Sequence, residues 1–279
     1  MSTVGILYVV ATPIGNLQDF SLRAQSILKT VDLIAAEDTR HTKVLLNHFT
    51  IATPLQSLHE HNEKHIAPQL IQRLQQGENI ALVSDAGTPL ISDPGHYLVK
   101  LAHDEGMTIS PVPGASALIS ALSVSGLSAD KFYFAGFLPP KATARQQRLQ
   151  NLATHTYTLA FYEAPHRILD SVTDMKHVFG EQRRGVLVKE LTKVYETVKR
   201  GSLNELLAWL QADSVHQKGE FVILIEGVDD KEQPEIDAET KQLLDILLQE
   251  LPLKKATKIA SQITGISKNK LYQFMLTQN

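Results

Sequence analysis

The chain has 279 residues, 43% of them hydrophobic, and a formal net charge of −3, which suits about two domains and neither favours nor excludes nucleic acid as a partner. Cysteine is absent, so disulfides and Cys-ligated zinc are excluded and a reducing, cytoplasmic setting is expected. The apolar run Val4–Ala11 follows no basic residue and is far shorter than the roughly 20 residues a bilayer requires, so neither export nor membrane insertion is expected.

In chain order, the alternation of apolar runs with helical periods predicts strand Ile6–Val10, helix Ser21–Thr30, strand Leu33–Ala36 and helix Arg40–His48. Helix Ile66–Gln76 closes at Gly77, strand Ile80–Ser84 follows, and helix Tyr97–Glu105 closes at Gly106. This order makes a parallel sheet flanked by helices. A second α/β stretch adds strands Phe132–Gly136, Thr158–Tyr162, Gly185–Glu190 and Phe221–Glu226, with helices near Arg167–Val178 and Leu203–Gln211. Asp229–Asp237, acidic and holding Pro234, reads as a linker. Helices Glu239–Glu250, Lys254–Ile263 and Lys268–Leu276 then form a small module. The expected domains are residues 1–125, 126–228 and 235–279. From Pro252 to Asn279 there are five lysines and no acid, a local excess that the net charge conceals.

Open α/β sheets bind ligands beyond the carboxyl ends of their strands. The richest such segment is Ser84-Asp-Ala-Gly-Thr-Pro-Leu-Ile-Ser-Asp-Pro-Gly95. Gly87 permits positive φ or close backbone approach, the prolines fix φ, and Asp85, Thr88 and Asp93 offer oxygens rather than cations. A phosphate is a poor guest for such a loop; a ligand with positive charge or ribose hydroxyls suits it better. Other decorated strand ends are Ala11-Thr-Pro-Ile-Gly-Asn-Leu17, Ala36-Glu-Asp-Thr-Arg40, Pro113-Gly-Ala-Ser-Ala117, Tyr162-Glu-Ala-Pro-His-Arg167 and Lys189-Glu-Leu-Thr-Lys193. Neither the Rossmann glycine pattern nor the P-loop pattern is present, which argues against a dinucleotide oxidoreductase or an ATPase.

Taken in order along nearly the whole chain, these motifs other than Lys189–Lys193, together with Gly219-Glu-Phe-Val222, resemble the signature set of the ribosomal RNA small subunit methyltransferase I family, within the tetrapyrrole-methylase class. The resemblance implies two α/β domains of the tetrapyrrole-methylase type with the cofactor cleft between them, plus a small C-terminal helix-turn-helix-like module. It implies an S-adenosylmethionine-dependent 2′-O-methyltransferase, a homodimer, acting on a cytidine in the decoding region of small-subunit rRNA, free or in an assembled small ribosomal subunit. Where the class commonly carries Gly-Asp-Pro, this chain has Gly87-Thr88-Pro89, a hydroxyl in place of a carboxylate. By the same resemblance the cofactor would contact Asp85, Gly87, Thr88, Leu90, Ile91, Ser116, Ala117, Tyr162, Leu191 and Glu220, over a floor of Thr12 and Pro13. A sulfonium methyl donor requires no metal, only an aligned acceptor. Glu163, His166, Lys189 and Glu190 are candidate proton acceptors or orienters, and the sequence does not choose among them; ion pairing with Arg167 or Lys189 is the competing role for Glu163 and Glu190.

His61 and His65, in the run His59–His65, have the i,i+4 spacing of a helical metal pair, without a clear third ligand. Arg40, Lys141, Arg145 and Arg148 are candidate phosphate contacts, and Phe161 or Tyr162 candidate platforms for unpaired bases. In the C-terminal module Ala256, Ile259 and Ile263 should share one face, Thr264-Gly265 turn, and Ser267 cap a helix that buries Leu271 and Phe274. Two rival functions remain open: a tetrapyrrole C-methyltransferase, and a ligand-sensing DNA-binding regulator.

Overall fold

The computed structural model describes residues 4–229 and 236–277, so the central part of the expected linker lies outside the described residues. The chain divides into two compact units. One takes the chain up to Ser125 with Val188–Val198 and Gly219–Val222; the other takes Gly126–Leu187, Lys199–Lys218 and the chain from Ile223 onward.

The first unit holds strands β1 (Ile6–Val10), β2 (Leu33–Ala36), β3 (Leu55–Ser57), β4 (Ile80–Val83) and β5 (Thr108–Val112), and helices α1 (Leu22–Thr30), α2 (Thr39–His48), α3 (Glu63–Gln75), α4 (His96–Asp104) and α5 (Ala117–Ser125). The strands lie in the order β3-β2-β4-β1-β5, and the pairings β1 with β4 and β5, and β2 with β3 and β4, are parallel. Alternation along each central strand divides the core in two. Leu33, Ala35, Ile80 and Leu82 face Leu70, Leu74 and Leu98 of α3 and α4, whereas Ile34, Ala36, Ala81 and Val83 face Ala24, Leu28 and Leu46 of α1 and α2. Because α1 and α4 lie on opposite faces, the loops leaving β1 and β4 pass one another at the carboxyl ends of adjacent strands.

The second sheet contains β6 (Phe132–Phe137), β7 (Thr158–Glu163), β8 (Arg184–Lys189), β9 (Thr197–Ser202) and β10 (Phe221–Ile225), in the order β6-β7-β10-β8-β9. Helix α7 (Ile168–Phe179) packs between α6 (Ala142–Gln150) and α8 (Leu203–Ala212). The module α9 (Ala238–Glu250), α10 (Leu253–Thr264) and α11 (Lys268–Thr277) closes on Leu244, Ala260, Ile266 and Leu271, with Phe274 packed against them.

Three strands escape the hydrophobic pattern, β3, β5 and β9, and each is an edge of its sheet. With one side open, these edges carry polar residues, as in β9, or a proline, as Pro111 in β5, whereas the remaining edge, β6, keeps an apolar run. Helix α3 begins at Glu63, earlier than expected. Buried Glu63 has a task there: its Oε1 accepts from the Leu98 N–H at 2.9 Å, capping α4, whose own N-cap is Gly95. His61 thus sits in the turn before α3 and not on it, which removes the expected helical pairing with His65. In α10 the inward residues are Ala256, Thr257 and Ala260, while Ile263 is 64% exposed: short side chains at i,i+4 let α10 lie close on α9, and Ile263 in the last turn points away.

Candidate active site

Within the first unit the loops beyond β1, β4, β5 and β8 are tied to one another by backbone contacts. Thr12 and Gly87 exchange both hydrogen bonds of an antiparallel bridge, Thr12 N–H to Gly87 O at 2.9 Å and Gly87 N–H to Thr12 O at 3.1 Å. Gly87 has φ +80, and a Cβ there would meet Ile14 Cγ2 at 3.3 Å, so glycine answers both the conformation and the close approach. The Thr12 hydroxyl donates to Ser84 O at 3.3 Å, and the Thr88 hydroxyl donates to Ala115 O at 3.1 Å, joining the β4 loop to the turn that enters α5. The hydroxyl found where a carboxylate is usual in the class therefore acts as a tether.

The turn after β8 is fixed on both sides. Glu190 N–H donates to Glu220 O at 3.0 Å, the Glu220 N–H donates to Glu190 Oε1 at 2.9 Å, and Lys193 Nζ donates to Glu190 Oε1 and Glu220 Oε2, each at 2.9 Å. Gly15 of the β1 loop packs so closely that a Cβ would lie 2.5 Å from Lys193 Cγ. Among the described residues, four of the five non-glycine residues with positive φ fall in these two loops: Leu90, Ser92, Glu190 and Thr192. Such conformations each cost about 1–3 kcal/mol, persist only where the surrounding structure over-determines them, and cluster at functional sites.

Charge is concentrated here as well. Asp38 N–H donates to Asp85 Oδ1 at 3.0 Å, which brings the acids at the ends of β2 and β4 together. Burial, then the neighbouring Asp85 and Asp93 carboxylates, raises the pKa of Glu37; burial also raises that of Asp93, with Asp85 adding to it against a hydrogen bond from Ser84. Asp38 moves the other way, held below the usual carboxylate range by its hydrogen bonds with Arg40. Burial pushes Glu190 upward, but the bonds from Lys193 and the Glu220 backbone outweigh it and leave it below its ordinary value, which makes it a weak proton acceptor. Lys189, the last residue of β8, is 6% exposed, and its charge helps to hold Glu190 low.

Of the residues singled out from the sequence, Thr12, Pro13, Asp85, Gly87, Thr88, Leu90, Ile91, Ser116, Ala117, Lys189, Glu190, Leu191 and Glu220 belong to the first unit. Tyr162, Glu163 and His166 belong to the second, where Tyr162 packs edge-on against Phe134 at 4.8 Å and His166 is exposed. Glu163 is enclosed: its carboxylate accepts from the Ser171 hydroxyl at 2.5 Å and the Ala164 N–H at 2.9 Å and lies 3.4 Å from Arg167. These contacts hold the buried carboxylate at the entry to α7 and support the ion-pairing role weighed above against proton transfer. Arg145 is likewise no phosphate contact. It is 4% exposed, with Nε donating to Asp174 Oδ2 at 2.5 Å, because an arginine enclosed between two packed helices requires a buried acid. Arg148 donates to the Tyr133 hydroxyl at 2.7 Å, Arg40 grips Asp38, and Phe161 is wholly buried in the core, so it offers no stacking surface. The acidic contribution of Glu37 was missed; its place beside Asp38 at the end of β2 was the available signal.

The fold and the strand-end loops define a tetrapyrrole-methylase chain: residues 6–207 match the family of tetrapyrrole (corrin/porphyrin) methylases, and residues 234–279 match the RsmI C-terminal HTH domain. The chain is 54% identical to ribosomal RNA small subunit methyltransferase I of Pseudomonas aeruginosa, over 97% of this chain and 96% of that one, and 46% identical to the protein of the same name from Synechocystis, over 98% of each. It belongs to the ribosomal RNA small subunit methyltransferase I family. Among solved structures, diphthine synthase superposes with TM-score 0.60 at 13% identity, over 80% of this chain and 89% of that one. Cobalt precorrin-4 methyltransferase does so with TM-score 0.58 at 16% identity, over 79% and 94%; these share the fold.

Proposed function

We propose that the protein transfers the methyl group of S-adenosylmethionine to the 2′-hydroxyl of a cytidine in the decoding region of small-subunit rRNA. The observation that carries this reading is the full-length kinship with small-subunit rRNA methyltransferases, C-terminal module included. The cofactor rests on the loops 84–95, 113–117 and 190–193, where strained backbone and close glycine packing preorganise the surface and the Glu37–Asp85–Asp93 group favours a cationic guest. In the reaction the ribose oxygen bonds to the methyl carbon, the S–C bond breaks, S-adenosylhomocysteine leaves, and the hydroxyl proton is lost. Negative charge develops on that oxygen, and the Lys189 ammonium is the group suited to stabilise it. His166 is the remaining exposed proton carrier. No helix among the described residues is long and apolar enough to cross a membrane, consistent with a cytoplasmic enzyme, which we propose acts as a homodimer.

The test is to map 2′-O-methylation in small-subunit rRNA from cells with and without the gene, and to follow methyl transfer from labelled cofactor to small subunits with the purified protein. Loss of one cytidine methyl in the deleted strain, restored in vitro, is expected. An unchanged methylation map would refute the assignment.

A further inference from the structure

One groove of the second unit is remote in sequence from every loop assigned above to the cofactor. Its volume is about 1050 Å³, and it runs between the segment following α6, Gln150–Tyr157, and the turn joining α10 to α11. None of the described residues lining it is acidic. Lys258 and Lys268, both exposed, lie on its helical wall with the amides of Gln262 and Asn269 beside them. The first turn of α11, capped by the Ser267 hydroxyl accepting from the Lys270 N–H at 3.1 Å, also faces the groove. The opposite wall carries His155 and Tyr157, half-buried, with ring centroids 4.8 Å apart and edge to face. Burial, and then the nearby Arg148 charge, holds His155 below the ordinary histidine value, so its ring stays uncharged at neutral pH. Cations along one wall and uncharged rings along the other match the two requirements of a single-strand site, phosphate contact and base stacking. A duplex presents no unstacked base to the rings, and an acidic peptide would make no use of them.

We propose that this groove binds an unpaired stretch of RNA, with Lys258 and Lys268 on its phosphates and Tyr157 stacked on a base; resting on the reading of rRNA as substrate, the groove would hold an unpaired segment of that RNA. The probe is a fluorescein-labelled single-stranded RNA of about 12 nucleotides, within the known footprints of single-strand sites, titrated against the full-length protein over a salt series. Replacing both lysines (K258Q/K268Q) should weaken binding and make the slope of log affinity against log salt shallower by about 1.4, roughly 0.7 for each lost phosphate contact. Y157L, which keeps apolar bulk and removes the ring, should weaken binding at least about fivefold at every salt concentration. The control pair K254Q/K255Q removes equal charge from exposed positions of α10 outside the groove and should change little.

Equal losses for the two lysine pairs, with Y157L unaffected, would mean diffuse attraction and overturn the groove. Loss of binding to small subunits without loss of binding to the RNA would make a ribosomal protein the occupant and also overturn it. Failure of the wild-type protein to methylate small subunits would count against the proposed reaction alone, since the RNA titration does not depend on it.

Discussion

Replacing Gly87 with alanine separates the two things this glycine does. Its φ of +80 imposes a backbone cost on any L-residue, roughly 1–2 kcal/mol, and its Cβ would press on Ile14 Cγ2 at 3.3 Å inside the Thr12–Gly87 bridge. Gly106 is the matched control, with φ +67 and nothing within 4 Å of a built Cβ, at the end of α4. Both substitutions should therefore lower stability by about 1–2 kcal/mol, measured as a shift in urea midpoint at constant slope. Only Gly87→Ala should disturb the cofactor, because only there does the added carbon push apart the β1 and β4 loops. At least a tenfold loss of S-adenosylmethionine affinity by calorimetry is expected, about 1.4 kcal/mol. Gly87→Val adds a β-branch at positive φ and should abolish binding. Equal cofactor affinity in Gly87→Ala and Gly106→Ala would show that the bridge is architecture alone and that the ligand sits elsewhere.

Three further outcomes are expected. Lys189→Met should lower kcat for methyl transfer without changing cofactor affinity; unaltered turnover would remove Lys189 from the reaction. Glu163→Ala should do the reverse, costing about 3–5 kcal/mol by stranding Arg167 and the Ser171 hydroxyl while the folded fraction stays active, and a stable but dead variant would restore Glu163 to catalysis. Asp93 has a raised pKa, so the folded chain binds its proton more readily than the unfolded one; its contribution to stability is present below the unfolded value and is lost as pH rises through the folded value. Asp93→Asn should accordingly stabilise the cofactor-free protein at neutral pH, with the gain shrinking toward zero in acid, and destabilisation at neutral pH would contradict the repulsion described for this cluster.

The central strands β1, β2, β4, β7, β8 and β10 were legible because each is buried on both faces and reads as a short apolar run bounded by turn residues. The strand-end loops were legible for a different reason: glycine and proline at fixed offsets announce an unusual backbone, and Gly87 and Gly95 do have positive φ. What stayed hidden depends on partners distant in sequence. Arg145 and Asp174 are 29 positions apart, so nothing local separates a buried ion pair from a basic helix face. Glu163 lies within a motif that looks catalytic, and while its neighbour Arg167, four positions on, was a visible ion-pair candidate, the Ser171 hydroxyl, eight positions on within α7, was not. Strain at Leu90 and Glu190 was equally invisible, because neither residue type signals positive φ.

The electrostatics of the two units assign them different burdens. A cluster of Glu37, Asp85 and Asp93, two of them with raised pKa values, suits a sulfonium and an α-ammonium group but repels a phosphate backbone. RNA approaching such loops gains little from charge there, and the whole chain, at −3, offers no general attraction to make up the difference. Affinity for a polyanion must come from a locally basic surface, and residues 252–279 carry five lysines without an acid. Merging the two functions in one surface would require lysines close to the acids, where ion pairs would neutralise both; Arg40, already bound to Asp38, shows what becomes of a cation placed there. The helical module belongs to the other unit and supplies a locally basic surface that the acidic loops do not, which gives it a physical reason to accompany the methylase fold in this chain.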